Sequence, residues 1–176
     1  MANAHGGDRI LGSLRSVDGK GVVRMEDRYA TDIKDLWAAL TDRDRLARWY
    51  GELEGDFRLG GDFRARIRAS GWEGTGHVEA CEPPQKLLLI MRDADPQPGQ
   101  PDETVIEIVL AADASETVLV LEERGMPLDL LAAYGAGIQV HVEDLAAHIA
   151  GRDRVADTRW GELFPTYQAL AADISE

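Results

Sequence analysis

The sequence predicts an α+β fold: a curved antiparallel sheet wrapped around a long C-terminal helix, with an internal cavity between them. Three observations carry the prediction. Residues 31–50, TDIKDLWAALTDRDRLARWY, form an amphipathic helical stretch loaded with Trp and Tyr. The run that follows, GELEGDFRLGGDFRARI, alternates apolar and polar residues between glycines, as antiparallel strands do. Near the C-terminus, Ile138, His141, Val142, Leu145 and Ile149 recur at helical spacing. Strands in series with helices at the ends indicate an α+β chain. One helix cannot cover a twisted sheet of that size, and the uncovered space is a natural ligand cavity.

Taken in order, residues 1–8 read as a disordered tail and 9–176 as one domain. Ile10–Arg15 and Gly21–Tyr29 are expected to pair around Val17-Asp18-Gly19-Lys20, because Asp-Gly is a hairpin signal. Thr31 or Asp32 caps a helix over Asp32–Leu40, whose Ile33, Leu36, Trp37 and Leu40 meet the i, i+3, i+4, i+7 template. Thr41-Asp42 caps a second short helix that presents Leu46, Trp49 and Tyr50 on one side and ends at Gly51. A short strand follows at Leu53–Leu59, then a Gly60-Gly61 turn, then a strand at Asp62–Ala69. There Phe63, Ala65 and Ile67 share one face, and Arg64, Arg66 and Arg68 share the other. The arginines read either as an anion patch or as a wet face beside acidic strands. Strands at Trp72–Cys81 and Lys86–Arg92 are separated by Pro83-Pro84. DADPQPGQPD, residues 93–102, is expected to be a mobile acidic loop. Thr104–Ala111 and Thr117–Arg124 form the last hairpin. Residues 127–134 then lead to a helix over 135–150, stopped by Gly151. In the last segment (Trp160, Leu163, Phe164, Tyr167, Leu170), Pro165 marks either a helix start or a kink.

Composition narrows the function classes. The chain has 176 residues, enough for one domain with a real core, and a net charge of −13. So acidic a chain is not a phosphate binder, which excludes nucleic acid as the expected partner. No apolar run approaches the ~20 residues of a membrane span. MANAHGGDRIL lacks a basic segment followed by an apolar one, so no leader is expected. Cys81 is the lone cysteine, which precludes an internal disulfide and suits a reducing cytoplasm. His141 and His148 lie seven apart, not at the spacing of HExxH, so no metal is expected, and no cofactor fingerprint is present.

Several blocks resemble a known family. AALTDRDRLARWY is similar to the "aLTdpe-larWy" block of bacterial proteins related to the C-terminal domain of the activator of Hsp90 ATPase, within the START-like, or SRPBCC, superfamily. GTGHVEACEPPQKLLL (74–89), TVLVLEERGMP (117–127) and GAGIQVHVEDLAAHIAG (135–151) agree with it. The resemblance runs from about residue 22 to residue 170. It implies a helix-grip fold with an internal hydrophobic pocket, in a superfamily whose members bind lipids, hormones and polyketides and include aromatase/cyclases. Ile138 stands where relatives often carry Trp, which implies a remodelled pocket wall. Glu123 stands where many relatives have His or Thr, just before the turn at Arg124-Gly125. No counterpart of the extra N-terminal domain of the eukaryotic Hsp90 activators is expected.

The candidate polar groups are Glu107, Glu123 and His141, with Glu107 and His141 expected first to orient the ligand. Glu107 shares a parity with Val105 and Val109 on a strand apolar on both faces, and Glu123 continues the Leu119-Leu121 parity. Pointing inward, the two carboxylates would share the cavity, and desolvation would raise at least one pKa, as acid/base work requires. Otherwise they are solvated or paired with arginine. His141 is either a cavity acid/base or a packed core histidine, and the face of His77 is open. The expected apolar lining is Trp49, Tyr50, Phe63, Trp72, Met91, Met126, Tyr134 and Ile138, because aromatic and Met side chains give large, adaptable contact area. The leading expectation is binding of a small hydrophobic or amphipathic ligand. A cyclase- or lyase-type enzyme and an Hsp90 co-chaperone-like module are the alternatives. A protein partner or a homodimer stays open.

Overall fold

The computed structural model describes residues 9–174; the tail expected at 1–8 lies outside them. Eight antiparallel strands form one sheet: β1 (Gly12–Val17), β2 (Lys20–Tyr29), β3 (Gly51–Gly55), β4 (Asp62–Ile67), β5 (Glu73–Glu82), β6 (Lys86–Asp93), β7 (Thr104–Asp113) and β8 (Glu116–Met126). Their order is β1-β2-β8-β7-β6-β5-β4-β3. Helices α1 (Ile33–Thr41) and α2 (Arg43–Trp49) carry the chain from β2 to the far edge, where a meander begins and returns to β2. Helix α3 (Leu131–Ile149) lies across one face of the sheet, and α4 (Arg159–Ala172) packs on α3.

The short helices turn a corner on one residue. Asp32 caps α1 by accepting from the Asp35 N–H at 2.9 Å; Asp42 ends α1 and caps α2 by accepting from the Arg45 N–H at 3.0 Å. Trp49 Nε1 donates to the Ala39 carbonyl at 3.0 Å, which holds α2 against α1 and leaves Tyr50 at the corner.

The alternation of β4 is as expected: Phe63, Ala65 and Ile67 are buried, while the arginines face outward. Glu52 and Glu54 of β3 stand opposite Arg66 and Arg64, and Glu73 of β5 pairs with Arg66, so the arginine row is a neutralised outer face.

Several boundaries differ from the sequence expectation, each because of a local bond. β1 runs to Val17 because Asp18 and Gly19, both at positive φ, make a two-residue turn; its start moves to Gly12 because the Leu11 N–H turns to Gln139. β3 ends at Gly55, and Phe57 then turns onto Phe63 with ring centres 4.9 Å apart. β4 stops at Ile67, whose N–H bonds the Trp72 carbonyl at 2.8 Å across a tight turn. Helix α4 runs through Pro165 from Arg159, so the proline neither starts nor ends it.

The main correction concerns α3, which begins at Leu131 and not at 135, after a 3₁₀ turn at Leu128–Leu130. Gly135 is therefore internal to the helix, where its missing side chain admits Tyr167: an added Cβ would lie 2.5 Å from Tyr167 Cδ1. Tyr167 is fully buried there, and its hydroxyl donates to Gln139 Oε1 at 2.5 Å.

This packing predicts opposite outcomes for two helical glycines. Gly135→Ala is expected to lower stability by about 1–3 kcal/mol, because overpacking outweighs the gain in helix propensity. Gly161→Ala, where a Cβ meets nothing within 4 Å, should raise it by up to about 1 kcal/mol. Urea unfolding of both variants measures this, and equal effects would contradict the proposed role of Gly135.

Candidate ligand-binding site

Between α3 and the sheet lies a cavity of about 570 Å³. Its floor is Ile67, Met91, Thr104, Ile106 and Glu123 from the strands, and its helical wall is Tyr134, Gly137, Ile138, Val140 and His141. Tyr50 and Trp72 stand at the sides. The mouth is edged by Gln100 and Pro101 of the acidic loop, by Arg154–Asp157 of the α3–α4 connection, and by Trp160. A smaller apolar pocket of about 80 Å³ extends inward between Leu46, Trp49, Phe57, Phe63 and Leu87. The two share Tyr50, Met91, Ile106, Glu123, Ile138 and His141, so the polar groups stand at the junction of a wide chamber and a dry inner recess.

Glu123 faces inward on β8, opposite Ile106 of β7 and Val23 of β2, and is 9% exposed. Its hydrogen bond comes from Thr104 Oγ1, at 2.9 Å to Oε1. Burial pushes its carboxyl up to about 7, against the pull of Thr104. Burial and then the nearby carboxylate of Glu123 raise the Tyr50 phenol, and the same two causes, with Asp93, push Tyr134 up to about 12. His141 lies edge-on to Tyr50, with ring centres 5.1 Å apart. Its Nδ1 is buried with no hydrogen-bond partner, and burial plus the Arg154 charge bring it down to about 4, so the imidazole is neutral at pH 7.

The connection that edges the mouth is held by Asp144. This buried carboxylate on α3 accepts from Arg154 Nε at 3.1 Å and from the Val155 N–H at 2.9 Å. Burial nonetheless raises its carboxyl, because desolvation outweighs the two bonds. Glu143 accepts from Arg159 Nε at 2.8 Å and Nη2 at 2.9 Å, which fixes the start of α4 and so places Trp160.

A family model described as "Activator of Hsp90 ATPase homolog 1-like protein" matches residues 30–150. The chain belongs to this family. Solved structures agree on the fold. The crystal structure of CalU16 from Micromonospora echinospora has a TM-score of 0.74 and 24% identity, covering 92% of this chain and 96% of that one. DynU16, a protein in the dynemicin biosynthetic locus, has a TM-score of 0.67 and 24% identity over 77% of this chain and 50% of its own. A conserved protein of unknown function from Enterococcus faecalis has a TM-score of 0.71 at 16% identity, covering 94% of this chain and 92% of that one. No curated protein matches the sequence significantly. The fold is thus the helix-grip fold of the START-like superfamily. The family match ends at residue 150, before the Arg154–Trp160 edge of the cavity.

Within this family fold, the sequence candidates separate. Tyr50, Trp72, Met91, Glu123, Tyr134, Ile138 and His141 line the main cavity, and Trp49 and Phe63 line the inner recess. Glu107 does not join them: it lies on the opposite face of β7, with Lys86 Nζ at 3.4 Å and Arg124 Nη1 at 3.6 Å. Strand alternation decides this, because Ile106 and Ile108 take the inward positions. Met126 is also displaced. Gly125, at φ 105°, forms a bulge against β2, and the shifted parity buries Met126 beside Gly21 and Leu131 in the core, outside the cavity lining. His77 faces away from the cavity, with Nδ1 2.7 Å from Asp62. Sequence reasoning missed Thr104 and the Arg154–Trp160 edge, where no periodicity marks a site.

Glu123 and His141 give opposite pH slopes. Glu123 holds its proton more tightly folded than unfolded, so its contribution is full below about pH 4.5 and is lost as pH rises toward about 7. His141 holds its proton less tightly folded, so its contribution is present above pH 6.5 and lost as pH falls toward about 4. Glu123→Gln should therefore gain stability over wild type by about 3 kcal/mol on going from acid to mildly alkaline pH. Urea titrations across that range check it; a constant difference would show Glu123 to be solvated.

Proposed function

We propose that this chain binds a small hydrophobic or amphipathic molecule in the cavity, with the ligand's polar end set against Glu123 and His141. The observation that carries the reading is the union of a cavity of about 570 Å³ with inward-facing polar groups whose bonding capacity the protein leaves unused: Glu123 with one neutral donor, and His141 Nδ1 with none. Burial of apolar ligand surface supplies about 25 cal/mol per Å² before ordering costs, and the few polar groups supply orientation. The place of DynU16 in a biosynthetic locus supports a small-molecule ligand. The lone Cys81 supports a reducing cytoplasm, with residues 9–176 working as one domain. Among the described residues no helix is long and apolar enough to cross a membrane.

One observation favours a second reading, acid/base catalysis in the same cavity. Glu123 and His141 are pushed toward about 7 and about 4, which separates a proton donor from a proton acceptor at neutral pH.

The first reading is tested by native mass spectrometry of gently purified protein beside its Ile138→Trp variant. Wild type should carry an extra mass that is lost on denaturation. The variant, with an indole built into the cavity wall, should lose that mass and keep its circular dichroism. Equal occupancy of a folded variant would move the ligand out of the cavity.

A further inference from the structure

The cavity's charge and its aromatic rings specify a ligand class. Glu123, Asp93 and Asp157 line it, and its single lining cation, Arg154, is bonded to the buried Asp144. Four aromatic side chains, Tyr50, Trp72, Tyr134 and Trp160, stand around the same space from four different parts of the chain. Trp160 is braced for this position, stacked on Phe164 at 4.6 Å and bonded through Nε1 to the Ala133 carbonyl at 3.3 Å. Aromatic faces attract cations, and more strongly where water is excluded. Glu123 makes no ion pair within the described residues. The chain's net charge of −13 favours the approach of cations over anions.

We propose that the ligand is a cationic amphiphile: an apolar body seated in the chamber and recess, with a protonated or quaternary nitrogen held against Glu123 within the aromatic walls. This deepens the ligand-binding reading above and rests on it. The bound cation supplies the charge partner that the folded protein withholds from Glu123. Its ionisation then replaces the proton that burial otherwise keeps on the carboxyl, so binding the cation releases a proton. The titratable and charged groups that share the cavity lining with Glu123 are Tyr50 from the end of α2, Asp93 from β6, Tyr134 and His141 from α3, and Arg154 and Asp157 from the α3–α4 connection; Thr104 from β7 bonds it directly. Of these, His141 is brought down to about 4 and stays neutral across the neutral range, while Glu123, pushed up to about 7, sets the pH dependence.

The test uses three fluorescent molecules that share one tricyclic skeleton: 9-aminoacridine, cationic at neutral pH; 9-anthracenemethanol, neutral; and 9-anthracenecarboxylate, anionic. Equilibrium titration of wild type should give affinities in that order, with the cation about tenfold or more ahead of the neutral probe. Glu123→Gln should weaken the cation about tenfold and leave the neutral probe within about twofold. An arm that needs no variant is pH: affinity for the cation should rise between about pH 5.5 and about pH 8 as Glu123 ionises, while the neutral probe stays flat. Ile138→Trp should abolish binding of both. Equal affinity for cation and neutral probe, both lost in Ile138→Trp, overturns the cationic class and leaves the cavity reading intact. Binding that survives Ile138→Trp places the dye on the acidic surface and overturns both.

Discussion

Helix α3 is the reference for every wall of the cavity, and three successive polar groups on its flank hold it in place. Gln139, fully buried, accepts from Tyr167 Oη and the Leu11 N–H and donates to the Arg9 carbonyl and to Glu143. Glu143 grips Arg159 through both oxygens, and Asp144 grips Arg154 and the Val155 N–H. These bonds tie the helix to the segment before β1, to α4 and to the connection between the helices. A buried polar network of this kind is stabilising only when each member is satisfied, so it tolerates one arrangement of the helix and penalises others. Gly135 completes the arrangement by admitting the ring of Tyr167 against the helix backbone.

With α3 secured from outside, its inner face need not be filled by the sheet. The apolar core closes around both ends: Met126 and Leu131 at one, and Leu36, Leu40 and Leu145 with the α1–α2 corner at the other. Between them, residues that elsewhere would pack together line a chamber. A protein interior ordinarily has no void of this size, because unfilled space forfeits dispersion contacts. The proposed ligand binding rests on this chamber. The same logic applies to polarity. Among the described residues, His141 Nδ1 is the one buried side-chain nitrogen or oxygen without a partner, and it adjoins that chamber. The large pKa displacements of Glu123 and His141 follow from the incomplete solvation of these groups.

The sequence carried the local structure well where a single physical rule governs it. Alternation in β4 placed Phe63 inward and Arg64 outward, Asp32 and Asp42 announced the helix starts, and Asp18-Gly19 announced the first turn. It misled where two rules compete. Gly135 read as a helix boundary on propensity, yet a tertiary contact with Tyr167 makes glycine necessary inside the helix. Met126 read as a pocket-mouth residue at a turn, yet past the Gly125 bulge it lies in the core beside Gly21 and Leu131. Glu107 read as the foremost orienting carboxylate, ahead of Glu123; yet only Glu123 lies on the inner parity, and Lys86 and Arg124 neutralise Glu107 outside.

By itself the sequence determined the α+β architecture, the family, the approximate order of strands and helices, and a part of the cavity's apolar lining, because each follows from periodicity, caps and short-range patterns along one segment. Tertiary structure alone decided which carboxylate is buried, that His141 Nδ1 has no hydrogen-bond partner among the described residues, and that Arg154 and Trp160 reach the cavity from beyond the last family-matched residue. Those outcomes depend on strand register, on a bulge and on contacts between residues far apart in the chain. Solvation is a property of everything surrounding a group at once, so no single segment encodes it.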